Sequence, residues 1–452
     1  MRDIDLTEGF ILGHFKSLAV PAALGMLFTT LYNVVDVYFA GQISTQAQAG
    51  LVIGFQAFFV TMSVGFGLGS AMSALVANAR GKKDDETARR LASQGMSFGI
   101  TAVLVLMIGA VLLGPKVIAV LSEPGEFRDA ATSYFLWLVV ALPGFLLAYG
   151  GNGILQAHGD TVSMQRAMMA AFFANIVLNP LFIYGIPGVV SGMGLDGIAL
   201  ATIVSQTGVA IWILRQVLAR RIMDRFQLQW LTPNLASYRE ILDQMLPTTT
   251  AFMVMFSSGF MVQFTLKSFG AEAVAAYGIA LRVEQILLLP VLGMTGALLP
   301  IAAQNFGAEQ FERVRAAVFS CLKIGFIMTA IAFPILWFAS PFLLSLFNDD
   351  TKVIDIGVSY LRIDSFLFPI YMVLFSINSF LQALKRPIWT LWISIYRQGI
   401  GVALFLWIFV GVIGMGLWGV WIGIATSVIT GGIIAVLVAL RIADQKIGGL
   451  RA

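Results

Sequence analysis

Charge is scarce in this chain of 452 residues: Lys, Arg, Asp and Glu together make up 12% of it, against about 25% in soluble domains. So few polar side chains cannot coat a globule of this size, which excludes a water-soluble protein. The single cysteine, Cys321, has no partner for an internal disulfide, and the two histidines, His14 and His158, lie on separate segments and form no metal cluster. No glycine-lysine phosphate loop is present, so ATP-driven transport is disfavoured. The net charge of +4 is too small to suggest nucleic acid. Nothing in the chain points to an enzyme or to a bound cofactor.

Apolar residues are what fill the chain, at 58%, with 35 Phe and 19 Met among them. They fall into runs of 20 or more, each long enough at 1.5 Å per residue to cross about 30 Å of hydrocarbon. Twelve spans are read near 16–40, 50–77, 92–121, 131–156, 164–187, 193–216, 245–269, 276–302, 316–346, 356–382, 388–411 and 415–441. The fold class is therefore an all-α polytopic membrane protein. The first run is too long for a secretory signal and lacks a small-residue cleavage site, so it counts as a span.

Basic residues alternate between loops. Arg80, Lys82, Lys83, Arg89 and Arg90 mark the first such loop; Arg215, Arg220, Arg221 and Arg225 the next. Arg313 with Arg315, Lys385 with Arg386, and Arg441 with Lys446 follow. The intervening loops are short or acidic, as at Glu123–Glu126 and Asp349–Asp350. Lys/Arg-rich loops face the cytoplasm, which places both termini inside.

The two halves repeat. LQA at 155–157 recurs at 381–383, and Pro21, Tyr134, Pro143 and Asn152 recur as Pro247, Tyr360, Pro369 and Asn378, all at one offset. GMGLDG at 192–197 returns as GMGLWG at 414–419. Six spans per repeat give both halves the same orientation, related by a pseudo-two-fold axis along the membrane normal. The reading is an N-terminal lobe over 1–218, a cytoplasmic linker over 219–244 and a C-terminal lobe over 245–452. Paired bundles of this kind commonly enclose a substrate path that opens alternately to either side. Phe and Met on its walls would supply an adaptable apolar surface.

An ionisable group inside a span costs about 2.5–3.5 kcal/mol at the helix centre and by default marks function. The first half has one clear case, Asp36, in the outer half of its span. Asn175 and Asn179, four apart on one face of span five, fall at the same depth, as do Tyr134 of span four and Thr202 of span six. One carboxylate, two amides, a phenol and a hydroxyl are hard ligands suited to Na⁺, with Asp36, Asn175 and Asn179 as its holders, or to a proton on the acid. The alternative for the neutral residues is interhelical hydrogen bonding alone. Pro21 removes a helix hydrogen bond and makes the first span a candidate bending element, static or switching. The second half lacks this set but carries Arg282, Glu284, Arg362, Asp364 and Arg397. Residues two apart do not face each other on a helix, so Arg282–Glu284 and Arg362–Asp364 are expected to pair between helices, or else to serve coupling or substrate binding.

With these features the chain resembles the multidrug and toxic compound extrusion family of cation-coupled antiporters, over about residues 10–440. The marks are Pro21 with Asp36, NIVLNP at 175–180, LQAHGD and LQALKRP after spans four and ten, RVEQILLLP at 282–290 and AAQNFGA at 302–308. The resemblance implies twelve helices in two six-helix lobes and export of lipophilic, often cationic drugs against H⁺ or Na⁺ across a bacterial or archaeal inner membrane, by a monomer. In its DinF-like branch the coupling residues lie in the first lobe, which carries over to Asp36, Tyr134, Asn175, Asn179 and Thr202. Some members of that branch have an aspartate where this chain has Asn179. Other branches use second-lobe acids where Met255 and Tyr371 stand here, which favours the DinF-like assignment. The competing readings are a flippase of lipid-linked precursors, which would need a strongly cationic cleft, and a non-transporting membrane scaffold.

Overall fold

The computed structural model describes residues 4–121, 124–186, 190–220, 222 and 232–450. The expected Glu123, Arg221 and Arg225 and much of the linker lie outside the described residues. Among the described residues, twelve helices are long and apolar enough to cross a membrane. The first six are α1 (Ile11–Ile43), α2 (Thr45–Gly81), α3 (Asp85–Leu121), α4 (Glu126–Ala157), α5 (Val162–Tyr184) and α6 (Leu195–Ala219). A two-residue hairpin, β1 (Gly185–Ile186) with β2 (Val190–Ser191), joins the last two. Then come α7 (Leu235–Leu266), α8 (Ala271–Gly307), α9 (Phe311–Phe338), the short α10 (Ser340–Ser345) and α11 (Thr351–Ala383). The eleventh span is broken: α12 (Ile388–Ser394) and α13 (Gly401–Leu406) are each followed by a π-helical stretch, Ile395–Ile400 and Trp407–Val412. α14 (Gly416–Ile447) ends the bundle.

The helices outrun the apolar runs, most plainly at α7, which starts ten residues before residue 245. A helix need only be apolar where hydrocarbon surrounds it, so its polar ends escape a hydropathy reading. The expected ninth span divides at Ala339, where Pro341 opens α10 and cannot continue the preceding ladder.

Helix packing divides the described chain into two compact units, Met1–Asp5 with Leu24–Thr249, and Leu6–Ala23 with Thr250–Ala452. The boundaries fall inside helices, not in the linker. α1 gives its start to the second unit and the rest to the first, while α7 does the reverse. The two breaks sit two residues after Pro21 and Pro247, the repeat-related prolines inside these helices. The repeat also shows in backbone detail: Lys83 and Glu309, one offset apart, both take φ 58° directly after a span.

In the first unit α2 and α4 pack closely, around buried Phe58, Leu68, Leu138, Phe145 and Leu146. Their backbones touch at Gly153, where a Cβ would stand 2.0 Å from the Gly69 carbonyl oxygen. Backbone cannot yield as a side chain can. Gly153→Ala is expected to separate the two helices and lower the melting temperature of the detergent-purified protein by several degrees; an unchanged melting curve would mean that the contact is slack.

LQAHGD has a structural role at the start of α5. Asp160, buried, accepts the Ser163 N–H at 3.0 Å and pairs with Arg220 at 2.6 Å, tying the start of α5 to the end of α6. Asp84, in the turn before α3, accepts the Thr87 N–H at 3.0 Å, and that bond holds its carboxyl below the usual carboxylate range.

Candidate functional site

The residues singled out in the first half converge. Asp36, 4% exposed, sits about two turns from the C-terminal end of α1. Asn175 and Asn179, both fully buried, occupy one face of α5, the four-residue spacing stacking their amides. Each donates its Nδ2 to the same Asp36 oxygen, Oδ1, at 2.9 Å. Asn179 Nδ2 also reaches Asn175 Oδ1 at 3.1 Å. Thr202, on α6, donates to the other carboxylate oxygen, Oδ2, at 3.3 Å. A fifth member was not singled out in the sequence: Tyr32, one turn before Asp36 on α1 and 3% exposed, donates to Thr202 Oγ1 at 3.2 Å. Its i, i+4 spacing from the acid was the available signal. Tyr134, about two turns into α4 and 1% exposed, makes no hydrogen bond to Asp36.

Every partner of Asp36 among the described residues is neutral. Amides and hydroxyls orient a carboxylate but do not cancel its charge, and no Lys or Arg does so here. The Asn179 carbonyl oxygen is buried without a donor. A buried acceptor left open beside an uncompensated carboxylate suits a monovalent cation, held by oxygen ligands, or a proton on the acid. Three neutral donors cost little to rearrange when such a charge arrives or leaves.

Asn175→Ala and Asn179→Ala each remove an amide oxygen available to Na⁺ and a hydrogen bond that orients Asp36, worth about 1 kcal/mol, or roughly a fivefold loss of Na⁺ affinity. Export under limiting Na⁺ measures it. Wild-type behaviour in both would reduce the amides to helix-to-helix bonds.

The second-half acids are buried too, in the second unit, but not as expected. Glu284 Oε2 accepts from Tyr360 at 2.8 Å, and Asp364 Oδ1 accepts from Tyr371 at 3.1 Å. The expected pairs with Arg282 and Arg362 do not form. Both arginines are exposed, and Arg362 instead lies over the Trp337 ring, 5.6 Å from its centroid. A guanidinium held over an aromatic face at an exposed position avoids the desolvation that burial beside an acid would cost. The Tyr360 that serves Glu284 is the repeat counterpart of Tyr134.

The MatE family model matches residues 21–181 and again 247–408, two segments separated by the repeat offset. An FAD transporter of Shewanella oneidensis is 25% identical over 392 residues, 84% of each chain. The multidrug export protein MepA of Staphylococcus aureus is 22% identical over 353 residues, 77% of this chain and 76% of its own. The solved structure of a multidrug resistance MATE family transporter in an outward-facing conformation superposes with TM-score 0.90 at 24% identity, covering 99% of both chains. A MOP superfamily transporter from Pyrococcus furiosus superposes with TM-score 0.91, also at 24% identity and covering 99% of both chains.

Proposed function

The chain belongs to the MatE family of membrane transporters, and on that premise we propose that it is an antiporter that exports lipophilic, often cationic drugs in exchange for inward H⁺ or Na⁺, by alternating access. The observation that carries this reading is Asp36: a buried carboxylate whose partners are all neutral and whose neighbour Asn179 keeps an open oxygen. An acid that only held helices together would be paired with a cation, since an isolated charge in a span is costly. Reversible loading by a cation resolves that cost and supplies a two-state element. Asp36, Asn175, Asn179 and Thr202 form the loading site, with Tyr32 and Tyr134 completing its wall, and Pro21 lets α1 bend as the site changes charge. Both termini face the cytoplasm, as the basic loops require.

Uptake of a fluorescent cationic dye into everted membrane vesicles, with Na⁺ and pH gradients imposed separately, tests the reading. Gradient-dependent uptake supports it and names the ion, while uptake indifferent to both gradients rejects it. An FAD arm in the same vesicles tests whether a dinucleotide is cargo here, as the name of the Shewanella relative says of that protein.

A further inference from the structure

The AAQNFGA segment at 302–308 lies in the second unit, and the Asp36 site does not use it. Its side chains, at the end of α8, grip the start of the chain instead. Gln304 and Asn305 are 2% and 0% exposed. Gln304 Oε1 accepts the Leu6 N–H at 2.8 Å, and Asn305 Nδ2 donates to the Leu6 carbonyl at 3.0 Å. Arg313, in the first turn of α9, closes the grip. Its Nε donates to Asn305 Oδ1 at 2.9 Å and one terminal nitrogen donates to the Gly9 carbonyl at 2.9 Å. The other terminal nitrogen reaches the carbonyls of Leu6 and Glu8 at 3.3 and 3.2 Å. Leu6 is fully buried, and Gly9, at φ 73°, turns the chain toward α1.

A guanidinium presents its N–H donors in a fixed fork, and here the fork is spent on main-chain carbonyls and on orienting Asn305. Such a site reads the path of residues 6–9 and not their side chains. The same arm is seated again farther along α8. A Cβ at Gly293 would stand 2.7 Å from the Ala19 carbonyl oxygen and 2.8 Å from the Ala23 Cβ. At Gly25 the neighbour changes, since a Cβ there would meet the Gln165 backbone of α5 at 3.5 Å. α5 is the helix that carries Asn175 and Asn179. α1 is thus held by α8 and α9 up to Ala23 and packs on α5 at Gly25, with Pro21 just before the change.

We propose that Arg313 is a positioning residue for transport: it fixes the first arm of α1 to the second unit, so that bending at Pro21, when Asp36 gains or loses a cation, works against a held end. A helix loose at its start would absorb the bend by shifting its arm, whereas a gripped arm passes the displacement on. The consequence for transport rests on the antiport reading above; the grip itself does not.

The test compares Arg313→Gln with wild type, using the purified full-length protein and everted vesicles, with ethidium as the fluorescent cation. Amide hydrogen exchange across residues 11–23 is expected to quicken on the order of 10- to 100-fold, with little change across residues 24–43. Maximal ethidium transport should fall roughly tenfold, while ethidium affinity and its dependence on Na⁺ and pH stay at wild-type values. Arg313→Lys keeps the charge but not the fork, and should behave like the glutamine variant. Four results each overturn the proposal: unchanged exchange in the arm, wild-type transport despite faster exchange, full activity with lysine, or transport and affinity falling together. If Arg313→Gln does not accumulate, Gln304→Leu removes the bond to the Leu6 N–H and should give the same split at smaller size. Wild-type vesicles without gradient-driven uptake would reject the antiport reading and the transport role together, whereas failure of the grip alone shows in the exchange data.

Discussion

Asp36→Asn is expected to reduce gradient-driven drug export to the vesicle background while leaving the protein folded and inserted. The amide keeps the size of the carboxyl: its oxygen can still accept from the two asparagines, and its NH2, standing where Oδ2 was, can donate to the Thr202 hydroxyl, so the hydrogen bonds that join α1, α5 and α6 largely survive. What disappears is the titratable charge, and with it the reason for a cation to enter or leave. Comparison of dye efflux with protein level in the same membranes separates the two effects. Resistance equal to wild type, at equal expression, would remove Asp36 from the mechanism.

The second large effect concerns drug binding. Loading Asp36 with H⁺ or Na⁺ neutralises it, and exchange requires the loaded state to bind drug less well. Drug affinity of the purified protein should therefore fall as Na⁺ rises or as pH is lowered, and by reciprocity saturating drug should weaken cation binding by the same factor. Typical coupling energies of about 1–3 kcal/mol correspond to roughly 5- to 150-fold. Asp36→Asn should flatten both titrations and hold drug affinity at the low, cation-loaded value. Flat titrations in the wild-type protein would make Asp36 structural.

Much of the first-half site was legible because helix periodicity and membrane depth are one-dimensional properties. Asp36, Asn175, Asn179 and Thr202 could be placed in one layer by counting residues from the span ends, and they do meet. Tyr134 counts into the same layer but does not bond the acid, since depth says nothing about the direction a side chain takes around its helix. Tyr32 lay within reach of the same counting but carries no charge to draw notice. In the second half, spacing correctly denied contact within Arg282–Glu284 and Arg362–Asp364. It could not supply the true partners, because a tyrosine on a neighbouring helix is a tertiary fact. The π-helical stretches left no local signature either: in the first, the Arg397 carbonyl accepts from Ser427 and the Arg397 stem lies across Gly431, both on α14.

The division of α1 and α7 bears on how such a chain can be cut or built. Severing it anywhere between α6 and α7 would give two fragments, each beginning with a helical arm that completes the other's bundle. Neither fragment is then a domain in the folding sense, and co-produced halves must find each other to fold. A single repeat would face the same constraint: as a pair of identical chains it would close only by exchanging the starts of their first helices, the arrangement of a domain swap.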